Sequence, residues 1–339
     1  MTQDALSRLL AENDWLMADG ATGTTLFNMG LTSGDAPELW NVDEPDKIRA
    51  LYKGAVDAGS DIFLTNSFGG NASRLKLHDA QERVGELNRI AAELGREVAD
   101  KSGRTVVVAG SMGPTGEIME PMGPLSFDRA VEMFHEQAEG LKAGGADVLW
   151  VETISAADEY KAAARAAELA GMPWCGTMSF DTAGRTMMGI TSTELTALVE
   201  TFPNPPIAFG ANCGVGASDL LRTILGFAAS GTERPIIAKG NAGIPKYVHG
   251  HIHYDGTPEL MADYAVLARD CGATIVGGCC GTTAEHLEAM RFALETRPTS
   301  DGKPTLEEIV ERLGAFSSAS DGTGDSAPPR RERRGRRRG

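Results

Sequence analysis

Eight short apolar segments, most of them followed by a longer stretch with helical periodicity, recur along most of this chain. The predicted strands are Trp15–Ala18, Asp61–Thr65, Thr105–Ala109, Asp147–Val151, Trp174–Met178, Ile207–Gly210, Ile236–Lys239 and Thr274–Gly277. The predicted helices between and after them include Asp46–Ala58, Ser73–Ala99, Phe127–Ala143, Ala156–Ala170, Thr193–Thr201, Ala217–Ala229, Pro258–Cys271 and Ala284–Glu295. Strands that alternate with helices pair in parallel. Eight such units predict an α/β fold, a (β/α)8 TIM barrel rather than a doubly wound open sheet, with the active site at the C-terminal ends of the strands.

The barrel pattern stops near residue 298, where the composition changes. We therefore predict a barrel over residues 1–298 and a separate C-terminal region over residues 299–339. This region has one short amphipathic helix near Thr305–Leu313, followed by a disordered stretch rich in Ser, Gly, Asp and Pro. Residues 330–339 hold seven arginines and one glutamate, so the rest of the chain carries a net charge of -21, against -15 for the whole. We interpret the arginines as a solvated tail, and the acidic body argues against binding to nucleic acid.

Cysteine usage and the N-terminal segment indicate a reducing compartment. The chain has five cysteines, and residues 1–14 are polar and acidic rather than a secretory signal. No run of 18 apolar residues is present, so we expect no membrane span. We expect a cytoplasmic protein, in which clustered cysteines serve metal binding or catalysis rather than disulfides.

Two cysteine motifs follow the sixth and eighth predicted strands. One contains Cys213, and the other contains the adjacent pair Cys279 and Cys280. Adjacent cysteines rarely bond to each other, because their Cα atoms lie about 3.8 Å apart and a relaxed disulfide needs about 5.5–6 Å. The three thiols are therefore predicted to bind one zinc ion with one coordination position open. Cys175 and Cys271 are interpreted as buried, small apolar residues.

An open position on a thiolate-rich zinc favours a thiol substrate, because zinc ionises a bound thiol. The small-residue loop Asp19–Thr24 offers backbone N–H groups for a carboxylate. Asp19 and Glu152, which follow strands one and four, can together hold an ammonium group. A ligand with a thiol, an ammonium and a carboxylate is a thiol amino acid. Nucleotide cofactors are not indicated, since the chain has neither a Walker A loop nor a Gly-x-Gly-x-x-Gly motif.

Taken together, five motifs resemble the homocysteine S-methyltransferase family, which includes betaine–homocysteine methyltransferases and the homocysteine module of cobalamin-dependent methionine synthase. The motifs are Asp19-Gly20-Ala21-Thr22-Gly23-Thr24, Thr65-Asn66-Ser67-Phe68, Val151-Glu152-Thr153, Gly210-Ala211-Asn212-Cys213 and Gly277-Gly278-Cys279-Cys280-Gly281. The resemblance runs from about Trp15 to Arg297. It implies a (β/α)8 barrel with zinc on the three cysteines. It also implies a site for the amino-acid end of homocysteine, formed by Asp19, Gly20, Ala21 and Glu152.

The resemblance leaves two classes of methyl donor open. Glu152-Thr153-Ile154 and Asn241-Ala242-Gly243-Ile244-Pro245 resemble the methionine-synthase module, whereas betaine enzymes tend to place a tyrosine where Thr153 stands. This difference slightly favours a methyl-corrinoid donor. The chain lacks the Asp-x-His-x-x-Gly motif for cobalamin, so methylcobalamin would be supplied by a separate protein. The acidic body suits a cationic, betaine-like donor equally well.

Two further features allow other interpretations. The zinc could be structural in a non-catalytic binding protein, with the arginine tail contacting nucleic acid or an acidic partner. The second feature is a histidine run, in which His249, His251 and His253 have metal-like spacing. We interpret this run as a solvated loop after strand seven rather than as a second metal site.

Overall fold

A parallel eight-stranded barrel is the centre of the computed structural model, which describes residues 4–243, 246–248 and 251–322. Its strands are β1 (Leu16–Met17), β2 (Ile62–Leu64), β3 (Val107–Met112), β4 (Val148–Ile154), β5 (Trp174–Met178), β6 (Phe209–Cys213), β7 (Ile236–Gly240) and β10 (Ile275–Gly278). Around the barrel the order is β1, β10, β7, β6, β5, β4, β3 and β2. A parallel bridge between Ala18, which follows β1, and Ile62 of β2 joins the two ends of this strand order. The predicted TIM barrel is therefore confirmed.

The third and sixth strands differ most from their predicted bounds, and the sixth matters more because it carries Cys213. The sixth strand was predicted over Ile207–Gly210 and is observed over Phe209–Cys213. The strand continues because Asn212 and Cys213 pair with Lys239 and Gly240 of β7. Pairing with a neighbouring strand outweighs the polar character of these two residues. Cys213 is consequently the last residue of the strand rather than a loop residue.

Alternate residues of the strands fill the interior of the barrel. They form one apolar cluster that includes Leu16, Ile62, Val148, Trp150, Cys175, Ile237 and Ile275. A helix that precedes the first strand, α1 (Ala5–Glu12), adds the fully buried Leu6 to this cluster. The interior of the barrel is therefore a packed core, and the polar site lies above it at the C-terminal ends of the strands.

Helices surround the barrel and bury their apolar faces against it. Within the described residues they are α2 (Thr22–Asn28), α3 (Trp40–Asp43), α4 (Pro45–Asp57), α5 (Ala72–Leu75), α6 (Val84–Lys101), α7 (Phe127–Ala143), α8 (Ala157–Ala170), α9 (Ser192–Val199), α10 (Ala217–Ala229), α11 (Pro258–Cys271), α12 (Ala284–Thr296) and α13 (Leu306–Leu313). Short 3-10 helices cover Pro37–Leu39, Lys76–His78 and Gln81–Arg83. None of the described helices is long and apolar enough to cross a membrane.

The prediction of a single helix over Ser73–Ala99 is wrong. The chain forms α5, then two 3-10 turns, and only then α6. Asp79 separates them with a left-handed backbone, at φ 54°. Aspartate adopts this conformation more readily than most side chains. The break leaves an irregular segment after β2 that forms part of the wall of the cavity described below.

The histidine run belongs to an insertion between β7 and α11. Lys246–Val248 (β8) and His251–His253 (β9) form a two-stranded antiparallel hairpin. His251 and His253 therefore lie in a strand rather than in a loop. His249 lies outside the described residues.

The segment after α13 packs against α10. Arg222 donates to the carbonyl of Ser318 at 2.8 Å, and Asp219 accepts from the backbone N–H of Ser317 at 2.9 Å. The arginine-rich residues 330–339 lie outside the described part of the chain. The division into a barrel over residues 1–298 and a separate C-terminal region remains a prediction.

Candidate active site

The three predicted cysteine ligands come together at the ends of β6 and β10. Their Sγ atoms all lie within 4.8 Å of one another, and Cys213 and Cys280 are 4.0 Å apart. Ligands about 2.3 Å from a tetrahedral zinc lie about 3.8 Å from each other. The cluster therefore fits a zinc ion after small side-chain adjustments. Cys175 and Cys271 are both buried and lie outside the cluster, as their interpretation required.

Two consecutive left-handed residues shape the first cysteine loop. Cys213 has φ 61° and Gly214 has φ 74°. A left-handed backbone costs a residue with a side chain about 1–2 kcal/mol, so contacts elsewhere must maintain it. Asn241 supplies such contacts, because it donates to the carbonyl of Gly214 at 3.0 Å and accepts from the N–H of Cys280 at 3.1 Å. This asparagine thus ties the two cysteine loops together.

Asn212 has the corresponding role between β4 and β6. Its amide oxygen accepts from the N–H of Thr153 at 2.9 Å and from the hydroxyl of Thr177 at 2.6 Å. Its amide nitrogen donates to the hydroxyl of Thr153 at 2.7 Å and lies 3.8 Å from Cys279 Sγ. Thr153 has φ 61°, which is rare for a β-branched residue. The Asn212 side chain therefore holds the backbone that follows Glu152 and also contacts the sulfur of Cys279.

The clustered thiols are protonated at neutral pH when no metal is bound. A hydrogen bond with Cys213 raises the pKa of Cys280 to about 11. A hydrogen bond with Cys279 raises the pKa of Cys213 to about 12, and burial adds to both shifts. Only thiolates ligate zinc, so metal binding must displace these protons and will weaken as the pH falls.

Gly281, directly after the cysteine pair, is required by a close contact. It has φ +79°, and a Cβ there would lie 2.5 Å from the Tyr254 side chain. Gly281→Ala should therefore shift the Cys280 loop and lower zinc occupancy. Gly231→Ala is the matched control, because Gly231 has φ +76° with no atom within 4 Å of an added Cβ. We expect both variants to lose about 1–2 kcal/mol of unfolding free energy to the left-handed alanine. Only Gly281→Ala should lose zinc, as measured by metal analysis, and equal zinc content in the two variants would contradict this assignment.

A cavity of about 360 Å³ opens beside the cysteines. This volume lies within the range of small-molecule sites. All three cysteines line it, together with residues from the loops after β1 and β2 and from the C-terminal parts of β3, β4 and β7. The lining residues that matter for the chemistry are Gly20, Ala21, Glu38, Arg74, His78, Ser111, Glu152, Thr153 and Lys239. The cysteines therefore face a space that a ligand can occupy.

Buried charges lie at the end of the cavity near Glu152. Lys239 Nζ lies 2.5 Å from the Oδ1 atom of Asp19, and both side chains are almost fully buried. Burial raises the pKa of Glu152, although Lys239 and a 2.5 Å hydrogen bond from Ser111 oppose the shift. Burial lowers the pKa of Lys239, but Asp19 and Glu152 outweigh it and leave that pKa raised. Lys239 is therefore a protonated cation within the site.

The predicted substrate residues are not equally placed. Gly20, Ala21 and Glu152 line the cavity. Asp19 lies behind it, with its Oδ1 atom bonded to Lys239 and its Oδ2 atom accepting from the N–H of Leu64 at 2.8 Å. The N–H of Ala21 is also engaged, since it donates to the carbonyl of Thr282 at 2.9 Å.

Other residues of the site were not predicted from the sequence. They are Lys239, which pairs with Asp19, Ser111, which bonds to Glu152, and Asn212 and Asn241, which contact the cysteine loops. One signal was available for Lys239, because a lysine at the end of an otherwise apolar strand is rarely buried without a charged partner. The asparagine contacts depend on which loops the barrel brings together, and the sequence carries no local sign of them.

A second charged region of the cavity wall lies in the irregular segment after β2 and in the 3-10 helix Pro37–Leu39, which comes before β2 in the chain. Glu38 is buried and accepts from the N–H of Gly69 at 2.6 Å. Burial raises the pKa of Glu38, while its contact with Gly69 and the charges of Arg74 and His78 oppose the shift. The cavity thus has one charged region around Glu152 and Lys239 and another around Glu38.

Comparison with known proteins identifies relatives of this chain. Residues 16–294 match the family described as homocysteine S-methyltransferase. The chain is 30% identical over 314 residues to a methionine synthase from Mycobacterium tuberculosis, and 29% identical over 319 residues to a methionine synthase from Mycobacterium leprae. Each alignment covers 88% of this chain but 26% of the relative, so the chain spans about a quarter of the length of these relatives.

Solved structures show the same fold. The metallated form of the homocysteine methyltransferase MmuM from Escherichia coli matches with a TM-score of 0.71 and 24% identity, over 85% of this chain and 99% of that chain. A methyltransferase from Methanosarcina mazei matches with a TM-score of 0.54 and 13% identity, over 86% of this chain and 98% of that chain. At these identities the likeness supports the barrel alone, whereas the family match extends over most of the sequence. This chain belongs to the homocysteine S-methyltransferase family of enzymes.

Proposed function

We propose that this chain is a zinc-dependent S-methyltransferase that methylates the thiol of L-homocysteine to give methionine. The observation that carries the proposal is the cluster of three cysteine sulfurs in the wall of a cavity that also contains buried charges. Membership of the family supports homocysteine as the acceptor. The names of the mycobacterial relatives, methionine synthases, support methionine as the product.

Cys213, Cys279 and Cys280 would hold the zinc ion. Zinc bound there would ionise the thiol of the substrate and keep it nucleophilic at neutral pH. The amide nitrogens of Asn212 and Asn241 lie 3.8 Å from Cys279 Sγ and Cys213 Sγ, where their N–H groups stabilise negative charge on sulfur. Because the cysteines line an open cavity, the arrangement favours a catalytic site over a closed structural one.

Glu152 would bind the ammonium group of homocysteine. It lines the cavity, and Ser111 fixes its Oε1 atom. Burial raises the pKa of Glu152, and an ammonium group bound beside this carboxyl group would stabilise its ionised form. Gly20 and Ala21 would form the adjacent wall, where a small side chain or none lets the ligand approach closely.

Methyl transfer needs no general base in this site. The thiolate sulfur supplies the electron pair of the new S–C bond, and the pair of the broken bond to the methyl group stays with the leaving group. A methylated onium donor leaves as a neutral molecule, and a methyl-corrinoid leaves as reduced cobalt. Orientation of the two reactants in one cavity then supplies much of the rate enhancement.

Two donors remain in the proposal, and one assay separates them. Thr153 favours a corrinoid on a separate protein, whereas the buried carboxylate of Glu38 in the cavity wall favours a small cationic donor such as betaine. Because Glu38 lines the cavity, we expect methionine to form when the zinc-loaded protein is mixed with homocysteine and betaine. Methionine formed only with methylcobalamin would assign the corrinoid donor, and methionine with neither would exclude both free donors. Omitting zinc or homocysteine is the control for each reaction.

A further inference from the structure

Lys239 occupies a position that the proposed reaction has not used. It lies near the end of β7, with its side chain 2% exposed and its Nζ atom 5.8 Å from the centre of the Trp150 ring. A lysine this deeply buried in a barrel interior is uncommon unless it is paired. Within the described residues, its ammonium group makes one hydrogen bond, to Asp19. An ammonium group has three N–H donors, so two remain for another acceptor.

The cavity contacts the lysine rather than the aspartate behind it. Lys239 and Glu152 line the cavity, whereas Asp19 uses its two oxygens on Lys239 and on the N–H of Leu64. A ligand entering this end therefore meets one cation and one carboxylate. This pairing complements the two charges of a zwitterionic amino acid.

The loop Asp19–Thr24 offers fewer free backbone N–H groups for a carboxylate than its sequence suggests. The N–H of Ala21 donates to the carbonyl of Thr282 and is not free for a ligand. Of the other basic residues that line the cavity, Arg74 and His78 lie near Glu38 in the second charged region. Lys239 interacts instead with Asp19, Glu152 and Cys279. It is therefore the cation placed to share a small ligand with both the cysteines and Glu152.

We propose that Lys239 binds the carboxylate of the substrate amino acid, and that Asp19 is a positioning residue that holds the lysine from behind. The inference rests on the proposed function, since it takes homocysteine as the ligand. It assigns the two ends of the substrate to different residues: the ammonium goes to Glu152 and the carboxylate to Lys239. Asp19 then has no direct contact with the substrate.

Truncated substrates test this assignment one functional group at a time. Binding to the zinc-loaded full chain is measured by calorimetry for three thiols: homocysteine, 3-aminopropane-1-thiol, which lacks the carboxylate, and 4-sulfanylbutanoate, which lacks the ammonium. Charged hydrogen bonds lead us to expect about a 10- to 150-fold loss of affinity in the wild type when the carboxylate is removed. Lys239→Met should weaken homocysteine and 4-sulfanylbutanoate by a similar factor. It should leave the affinity for 3-aminopropane-1-thiol unchanged.

A second variant guards against loss of folding. Lys239→Met leaves Asp19 as an unpaired buried charge, which destabilises a protein. Combining it with Asp19→Asn removes both charges, and an asparagine oxygen can still accept from the N–H of Leu64. The double variant should show the same pattern across the three thiols and should retain its zinc.

The outcomes separate this inference from the proposed function. If a folded Lys239 variant weakens homocysteine and 3-aminopropane-1-thiol equally, the lysine has only a structural role and the inference is wrong. It is also wrong if the variant changes the KM for the methyl donor and not that for homocysteine. A wild-type protein that binds none of the three thiols would refute the proposed function, and the inference with it.

Discussion

Replacing Cys213, Cys279 or Cys280 by serine is expected to remove most of the bound zinc and nearly all methylation of homocysteine. Each substitution leaves two thiolates and a hydroxyl, which is a far weaker zinc ligand than a thiolate. Loss of an outer-shell partner typically lowers metal affinity by about 10–100-fold, and loss of a direct ligand should exceed that. Zinc content after reconstitution under reducing conditions and the rate of methionine formation are the two measurements.

The two remaining cysteines provide matched controls. Cys175 and Cys271 are fully buried, so serine at either position should cost about 1–3 kcal/mol of stability when its hydroxyl finds no partner. Neither side chain belongs to the cluster, and both variants should keep their zinc. Equal loss of zinc in all five variants would show that unfolding, rather than loss of a ligand, explains the effect.

The second large effect is expected from Glu152→Gln. The variant keeps the shape of the side chain and removes the charge that we assign to the substrate ammonium. A charged hydrogen bond contributes about 1.5–3 kcal/mol, so homocysteine affinity should fall by about 10- to 150-fold. Zinc occupancy should be unchanged, because Glu152 is not among the clustered ligands. Calorimetric titration with homocysteine measures the loss.

Glu159→Gln is the control for this variant. Glu159 is also buried, and burial likewise raises the pKa of its carboxyl group. It accepts from Thr115 and does not line the cavity. We expect its substitution to change stability but not homocysteine affinity. Unchanged affinity in Glu152→Gln would remove Glu152 from the substrate site.

Local sequence patterns were sufficient to predict the barrel and the cluster of three cysteines. Apolar segments separated by helical stretches identify the strands without any knowledge of their partners. Barrel closure then brings the ends of β6 and β10 to one rim, so Cys213, Cys279 and Cys280 could be grouped in advance. The prediction depended on strand order and not on side-chain conformation.

The polar contacts of the site could not be predicted in the same way. The ion pair of Asp19 with Lys239 joins residues 220 positions apart, and its geometry follows from which side chains point into the barrel. The break at Asp79, which positions Arg74 and His78 at the cavity, depends on a single left-handed residue inside a pattern that otherwise favours helix. In both cases the tertiary structure determines the outcome and the local pattern does not.

The central claim is that the three cysteines hold zinc and leave a position for the substrate thiol. X-ray absorption at the zinc K-edge, recorded on the reconstituted chain before and after addition of L-homocysteine, counts the sulfur neighbours of the metal directly. We predict three sulfur neighbours without homocysteine and four with it. A spectrum that homocysteine does not change, or a chain that binds no zinc under reducing conditions, would contradict the account.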